Sequence, residues 1–119
     1  MVTEKPWGRY ELLKNEDGYW VKVLTIYPNS RFSLQFHKKR DEHWFVLKGK
    51  GCVAEISVTT PKEIESYRLA EGDTLDVMRG TLHRIWNHSE DEDLVICEIA
   101  TGEPDENDIT RVQDDYGRS

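Results

Sequence analysis

Gln35, His37 and Glu42 fall close together in SLQFHKKRDEHW, and His83 follows later in GDTLDVMRGTLHRIWN. Amide oxygen, imidazole nitrogen and carboxylate oxygen are all donors for a divalent metal ion, and three or four of them converging on one point can hold it. Zn, Mn, Co, Ni and Fe all suit such donors. A bound ion of this kind polarises an oxygen of a substrate and stabilises charge that develops on it. Glu42 stands in a run with Trp44, Phe45 and Val46, where a buried carboxylate is costly unless it is paired or bound to a cation. Ligation explains a carboxylate facing the core; the alternative is an exposed Glu42 paired with Arg40 or Lys39. His88, beside an acidic run, carries no functional weight, and Lys38 and Lys39 read as a solvated turn.

Residues so far apart need a rigid frame to bring them together. Runs rich in Val, Ile, Leu, Trp and Tyr occupy residues 19–27, 42–47, 52–58, 64–69, 74–77, 82–86 and 94–100, with polar or glycine-containing joints between them. Their length and regular interruption predict strands. No segment carries a sustained helical apolar face, so the fold class is all-β: one domain over residues 3–119, built as a jelly-roll sandwich or barrel. Alternate residues of a strand share a face. Gln35 therefore points with His37, Glu42 with Trp44 and Val46, and His83 with Ile85 and Asn87. If those faces line the interior, two neighbouring hairpins aim the four donors at one point, with Trp44 and Ile85 around them.

At 119 residues the chain has room for one core and one site. It has 23 acidic against 16 basic residues, a net charge of −7, with acidic runs at 90–93 and 103–108. That field repels a phosphate backbone, so nucleic acid is not an expected partner. The first residues lack the continuous apolar run of a secretory leader, and no stretch is long enough to span a bilayer. A cytoplasmic protein with no membrane partner is the expectation. Cys52 and Cys97 each interrupt an apolar run, which suits reduced, buried thiols better than a disulfide.

The two stretches resemble the paired motifs of the cupin superfamily: a glycine, five residues, HxH, four residues, Glu, six residues and Gly; then Gly, five residues, Pro-x-Gly, two residues, His, three residues and Asn. Here the positions read Asn29, Gln35, His37, Glu42, Gly49 and Gly72, Met78, Gly80, His83, Asn87, so every interval is kept. Three types depart: Asn29 for glycine, Met78 for proline and Gln35 for the first histidine. Asn tolerates the left-handed backbone that a turn can require. Further strings narrow the resemblance: PWGRY at 6–10, SLQFH at 33–37, RDEHW at 40–44, HR at 83–84 and TRVQDDYGR at 110–118. Together they are similar to the cupin domain of type II mannose-6-phosphate isomerases, which usually forms the carboxyl-terminal part of a bifunctional protein with a mannose-1-phosphate guanylyltransferase. Where that family carries HHH, this chain has His37, Lys38 and Lys39.

The resemblance implies a metal-dependent interconversion of mannose 6-phosphate and fructose 6-phosphate, in which a general base moves a proton between C1 and C2 through an enediol(ate). Two residues are candidates for the base. His43 has a suitable ordinary pKa, although alternation turns it away from the Glu42 face, and Glu98 is a charged residue inside the apolar run VICEIATGE. Arg40 is a further catalytic candidate beside the metal. Arg40, Trp44, Arg111 and Arg118 are the candidate substrate-binding residues, the arginines as donors to a phosphate. The tail that carries Arg111 and Arg118 either folds over the barrel mouth, with Asp114 and Asp115 orienting the arginines, or pairs with the PWGRY strand. A sugar phosphate is the expected partner, and a homodimer follows from exposed strand edges and the habits of cupins. Two other functions fit the same residues: a non-catalytic module that binds a sugar phosphate or nucleotide sugar and partners a guanylyltransferase, and a cupin oxidase or dioxygenase built on a two-histidine, one-carboxylate iron site.

Overall fold

Alternation is visible wherever the chain is extended. In Arg40–Lys48 the residues Arg40, Glu42, Trp44 and Val46 are buried while Phe45 and Leu47 are exposed, as a strand with one face on a core requires. A computed structural model of the chain describes residues 1–57 and 63–118. Within them run β1 (Val2–Lys5), β2 (Gly8–Glu16), β3 (Tyr19–Ile26), β4 (Leu34–Phe36), β5 (Arg40–Lys48), β6 (Cys52–Ser57), β7 (Glu65–Arg68), β8 (Thr74–Val77), β9 (Leu82–Asn87), β10 (Leu94–Gly102) and β11 (Thr110–Gln113). The end of the predicted run 52–58 and the last residue of the predicted domain lie outside the described residues.

The strands form a six-stranded sheet in the order β1-β2-β3-β10-β5-β8 and a five-stranded sheet in the order β11-β4-β9-β6-β7. Every pairing within them is antiparallel. Trp7, Leu24, Ile26, Phe32, Trp44, Val46, Ile85 and Ile96 pack between the sheets as one apolar core. This is the all-β, jelly-roll architecture expected from the sequence. Among the described residues no helix is long and apolar enough to cross a membrane.

One part of the chain differs from expectation, and one of the two alternatives for the tail is set aside. Residues 2–16 supply two strands, β1 and β2, that no apolar run announces; they form a hairpin whose β2 is held by pairing with β3. The tail strand β11 pairs with β4, and not with the PWGRY segment. β4 has only three residues and sits between β9 and β11, so that β11 satisfies backbone groups that would otherwise form an open edge. The cysteines are both free, but Cys97 is only half-buried, on the outer face of β10.

Register across the larger sheet sets up the interior. Trp20, Ala100, Glu42 and Val77 form one row across β3, β10, β5 and β8, and Lys22, Glu98, Trp44 and Leu75 form the next. Two carboxylates and a lysine thus enter a face that is otherwise apolar. Asn29 has φ 57°, the left-handed conformation expected for an asparagine in a glycine's place, and its N–H donates to the Ser89 carbonyl at 3.0 Å.

Candidate metal centre

His37, Glu42 and His83 arrive from both sheets. His83 is on β9 of the smaller sheet, Glu42 is on β5 of the larger one, and His37 stands where the chain leaves β4 to cross between them. This replaces the expected pair of neighbouring hairpins, because β4 and β5 are successive in the chain but belong to different layers. The turn before β9 is tied to the crossing, with Gly80 N–H donating to the His37 carbonyl at 2.7 Å and Thr81 N–H to that of Met78 at 3.1 Å. The second motif therefore keeps its geometry without a proline at position 78.

One donor atom from each of the three side chains lies within 4.8 Å of the others. His37 Nε2 is 3.3 Å from Glu42 Oε2, and His83 Nε2 is 3.6 Å from Glu42 Oε1. All three residues are 2% exposed or less. Their tautomers follow from what each ring's other nitrogen meets. His37 Nδ1 donates to the Asp108 carbonyl at 2.6 Å and His83 Nδ1 to the Thr81 carbonyl at 2.9 Å, so both Nε2 atoms carry lone pairs. Burial, helped by the neighbouring His83 and the Arg40 charge, lowers the His37 pKa to about 3, and burial lowers that of His83 to about 4. Both rings are neutral at ordinary pH, as ligation requires.

Among the described residues His83 Nε2 is buried with no hydrogen-bond partner. An acceptor stripped of water without a donor is costly, and a cation beside it removes that cost. Glu42 is also oriented: Oε1 accepts from Trp44 Nε1 at 3.2 Å and Oε2 from Arg40 Nε at 2.8 Å. Fixed tautomers, a held carboxylate and backbone partners behind both imidazoles are the supports of a metal site. The two-nitrogen, one-carboxylate set fits a divalent ion of the first transition series.

Joined to the trio through Arg40 and Gln35, and not lined by the three donors themselves, lies a cavity of about 280 Å³ whose walls include Gln35, Arg40, Glu98, Lys22, Arg111 and Arg118. Glu98 is held by Trp20, whose Nε1 donates to Oε2 at 3.0 Å. Burial and the nearby Glu42 charge raise its pKa to about 7, against the opposing pull of Lys22, Arg40 and the Trp20 hydrogen bond. Arg40 is buried over the Trp20 ring, 4.6 Å from its centroid. Beyond Glu42 it donates to the Asp105 carbonyl at 2.9 Å and to His37 Nε2 at 3.1 Å.

Glu42 thus combines the two alternatives left open above, being buried and paired with Arg40. Gln35 sits opposite His83 in the β4–β9 register and in the cavity wall, its Oε1 accepting from Ser33 Oγ at 2.7 Å. Trp44 is not among the cavity's lining residues; it packs against His83 and Phe32 and holds Glu42. His43 is on the outer face of the sheet, between Asp76 at 2.9 Å and Thr101 at 3.3 Å, so it is not brought to the trio. Arg118 reaches the cavity oriented by Asp114, whereas Asp115 holds Arg31. Asn87, the last residue of the second motif, points inward as predicted but donates to the Ile26 and Glu92 carbonyls and is structural. Lys22 and Trp20 went unnoticed in the sequence. Lys22 carries the same signal that marked Glu98, a charge at an inward position of an apolar strand.

The model of the family described as "Mannose-6-phosphate isomerase C-terminal" matches residues 2–114. A mannose-1-phosphate guanylyltransferase of Salmonella muenchen is 30% identical over 95% of this chain and 22% of its own length. The alginate biosynthesis protein AlgA of Pseudomonas aeruginosa is 32% identical over 97% of the chain and 22% of its own length. The chain therefore spans less than a quarter of the length of these curated relatives. Among solved structures, the capsular polysaccharide assembling protein CapF of Staphylococcus aureus superposes with a TM-score of 0.81 at 22% identity, over 95% of this chain and 34% of its own. Oxalate decarboxylase of Lactobacillus farciminis gives 0.76 at 15% identity, over 94% and 33%. At these identities the superpositions establish the cupin fold.

Proposed function

The chain belongs to the mannose-6-phosphate isomerase C-terminal family, and from that premise we propose that it is a metal-dependent sugar-phosphate isomerase interconverting mannose 6-phosphate and fructose 6-phosphate. The observation that carries this proposal is the convergence of His37, Glu42 and His83, with the buried lone pair of His83 Nε2 aimed among them, joined through Arg40 and Gln35 to a cavity whose wall includes Glu98. His37, Glu42 and His83 would hold the ion, with Gln35 as a further donor from the cavity wall. When bound, a divalent ion supplies polarisation of a sugar oxygen and stabilisation of the negative charge that develops on it.

The chain's own residues do the rest. Glu98 is the base: it takes the proton from C2 of the open-chain sugar and returns it to C1. A carboxyl with a pKa of about 7 is half ionised near neutral pH, where a base that must also act as an acid is most effective. Trp20 holds that carboxyl in one orientation. Arg40 keeps Glu42 in place and presents a cationic wall to the developing enediolate. Arg111 and Arg118 supply positive charge for the phosphate.

Purified protein supplied with Zn, Mn or Co should convert mannose 6-phosphate to fructose 6-phosphate, and His83→Ala should abolish it. Absence of turnover with every ion would overturn the proposal. One observation favours a second function: the relatives matched are four to five times longer than this chain and two are named for guanylyltransferase or polysaccharide synthesis. A non-catalytic module would bind the sugar phosphate without turnover and copurify with a guanylyltransferase.

A further inference from the structure

Lys22 is a lysine in a place built for an apolar side chain. It shares the inward face of β3 with Trp20, Leu24 and Ile26, and all four are buried. An ammonium taken out of water is strongly destabilising unless its charge is met. Here the Nζ lies 3.8 Å from the centroid of the Trp20 ring and 4.1 Å from that of Tyr10, and it is paired with Glu106. The ring faces supply part of the missing solvation, and the Glu106 carboxylate supplies the counter-charge.

The two members of that pair stand in very different surroundings. The Lys22 side chain is 6% exposed and that of Glu106 is 52% exposed. Glu106 belongs to the segment 103–109, between β10 and β11, and the backbone of that segment is fastened independently of its side chain. The Asp105 carbonyl accepts from Arg40, the Asp108 carbonyl accepts from His37, and Glu103 N–H donates to the Lys39 carbonyl. The carboxylate can leave Lys22 for water while the backbone stays in place; Lys22 has no comparable exit. Other ion pairs differ in kind. Arg40 and Glu42 are both buried, Arg79 and Asp41 lie outside the core, and in Arg118 and Asp114 the acid is the buried partner. Among the described residues, Lys22 and Glu106 alone combine a buried cation with a mostly exposed acid.

Both residues line the cavity beside the metal centre, as do Lys5, Arg111 and Arg118. We infer that Lys22 anchors a phosphate subsite in this cavity and that Glu106 is its internal counter-ion, displaced when a phosphate monoester enters. A phosphate monoester carries about −1.5 to −2 charge at neutral pH and three strong acceptor oxygens, against the single charge of a carboxylate. It therefore outcompetes Glu106 for the same ammonium. The exchange also serves selectivity, because a neutral sugar leaves the pair intact. The choice of a hexose phosphate as the natural ligand rests on the proposed isomerase function; the ion exchange itself applies to any phosphate monoester of fitting size.

The test is a calorimetric titration of the full chain with inorganic phosphate, in low salt, for the wild type and two variants. Glu106→Gln removes the competitor from an exposed position and should tighten phosphate by about two- to fivefold, the scale of one exchangeable ion pair. Lys22→Met keeps the length of the side chain without its charge and should weaken binding by about 10- to 100-fold, as loss of a charged hydrogen bond predicts. Circular dichroism establishes that each variant is folded. If Lys22→Met fails to fold, the Glu106→Gln titration decides alone. Phosphate affinity unchanged in Glu106→Gln would overturn the inference, as would wild-type affinity in a folded Lys22→Met. Failure of the isomerase function looks different: no turnover with any ion, yet the same response of phosphate binding to the two substitutions.

Discussion

Replacing Glu98 with Gln separates the catalytic charge of this residue from its shape. The amide keeps an oxygen to accept from Trp20 Nε1, which donates to Glu98 Oε2 at 3.0 Å, so packing should be preserved. What is lost is a carboxylate that burial and the Glu42 charge make hard to ionise, with Lys22, Arg40 and Trp20 as the opposing influences around it. Its pKa stands at about 7 in the fold against an ordinary 4.5. A raised carboxyl pKa means that the folded state holds its proton more tightly than the unfolded chain. The group then favours folding below about pH 4.5 and withdraws that contribution as pH rises through about 7. Between about pH 5 and about pH 8 the wild type should lose roughly 2 to 3 kcal/mol that Glu98→Gln keeps. Urea unfolding of chelator-treated protein at the two pH values measures this, and the variant should be clearly the more stable only at the higher one. Supplying a divalent ion to Glu42 should shrink the difference, because part of the shift comes from that charge. Turnover should fall by a factor on the order of 100 to 10,000, the range of a lost general base. Equal stability of the two proteins at both pH values would refute the electrostatic account of this residue.

The other predictions concern what surrounds the base. Trp44→Phe removes the indole N–H that holds Glu42 Oε1 and should weaken metal affinity by about 10- to 100-fold, measured by competition with a chelating dye; unchanged affinity would mean that Glu42 needs no such support. His43→Ala lies on the outer face between Asp76 and Thr101 and should leave kcat within about twofold, as for a surface substitution away from the site. A large loss there, in a folded protein, would return His43 to the list of bases.

How far the sequence could be read follows from how local each signal is. The convergence of His37, Glu42 and His83 was legible because period-two alternation and motif spacing are properties of short stretches, and Glu42 is buried with its charge met by Arg40, as a carboxylate in an apolar strand requires. Asn29 was legible for the same reason, since a left-handed turn is a demand on one residue. The hairpin at 2–16 was not, because β1 and β2 have few buried residues and owe their existence to pairing with β3. Nor was the destination of β11: an edge left open by a three-residue strand is a feature of the assembled sheet. Trp44 shares a face with Glu42 and is a substrate-binding candidate on the sequence, but alternation fixes only the face. Whether an inward side chain meets a cavity depends on its depth in the barrel, and here Trp44, like Glu42 whose carboxylate it holds, is packed away from the cavity wall. Lys22 was missed although its pattern matched that of Glu98; its meaning appears only when β3 and β10 are placed side by side and the two become cross-strand partners.

Elemental analysis of the purified chain, wild type against His83→Ala, tests the metal centre most directly. Three convergent donors with fixed tautomers predict about one equivalent of a first-row divalent ion in the wild type and loss of most of it in the variant, with the fold retained by circular dichroism. Equal metal content in the two proteins, or none in a wild type offered Zn, Mn and Co in turn, would contradict the assignment of His37, Glu42 and His83 as a metal site.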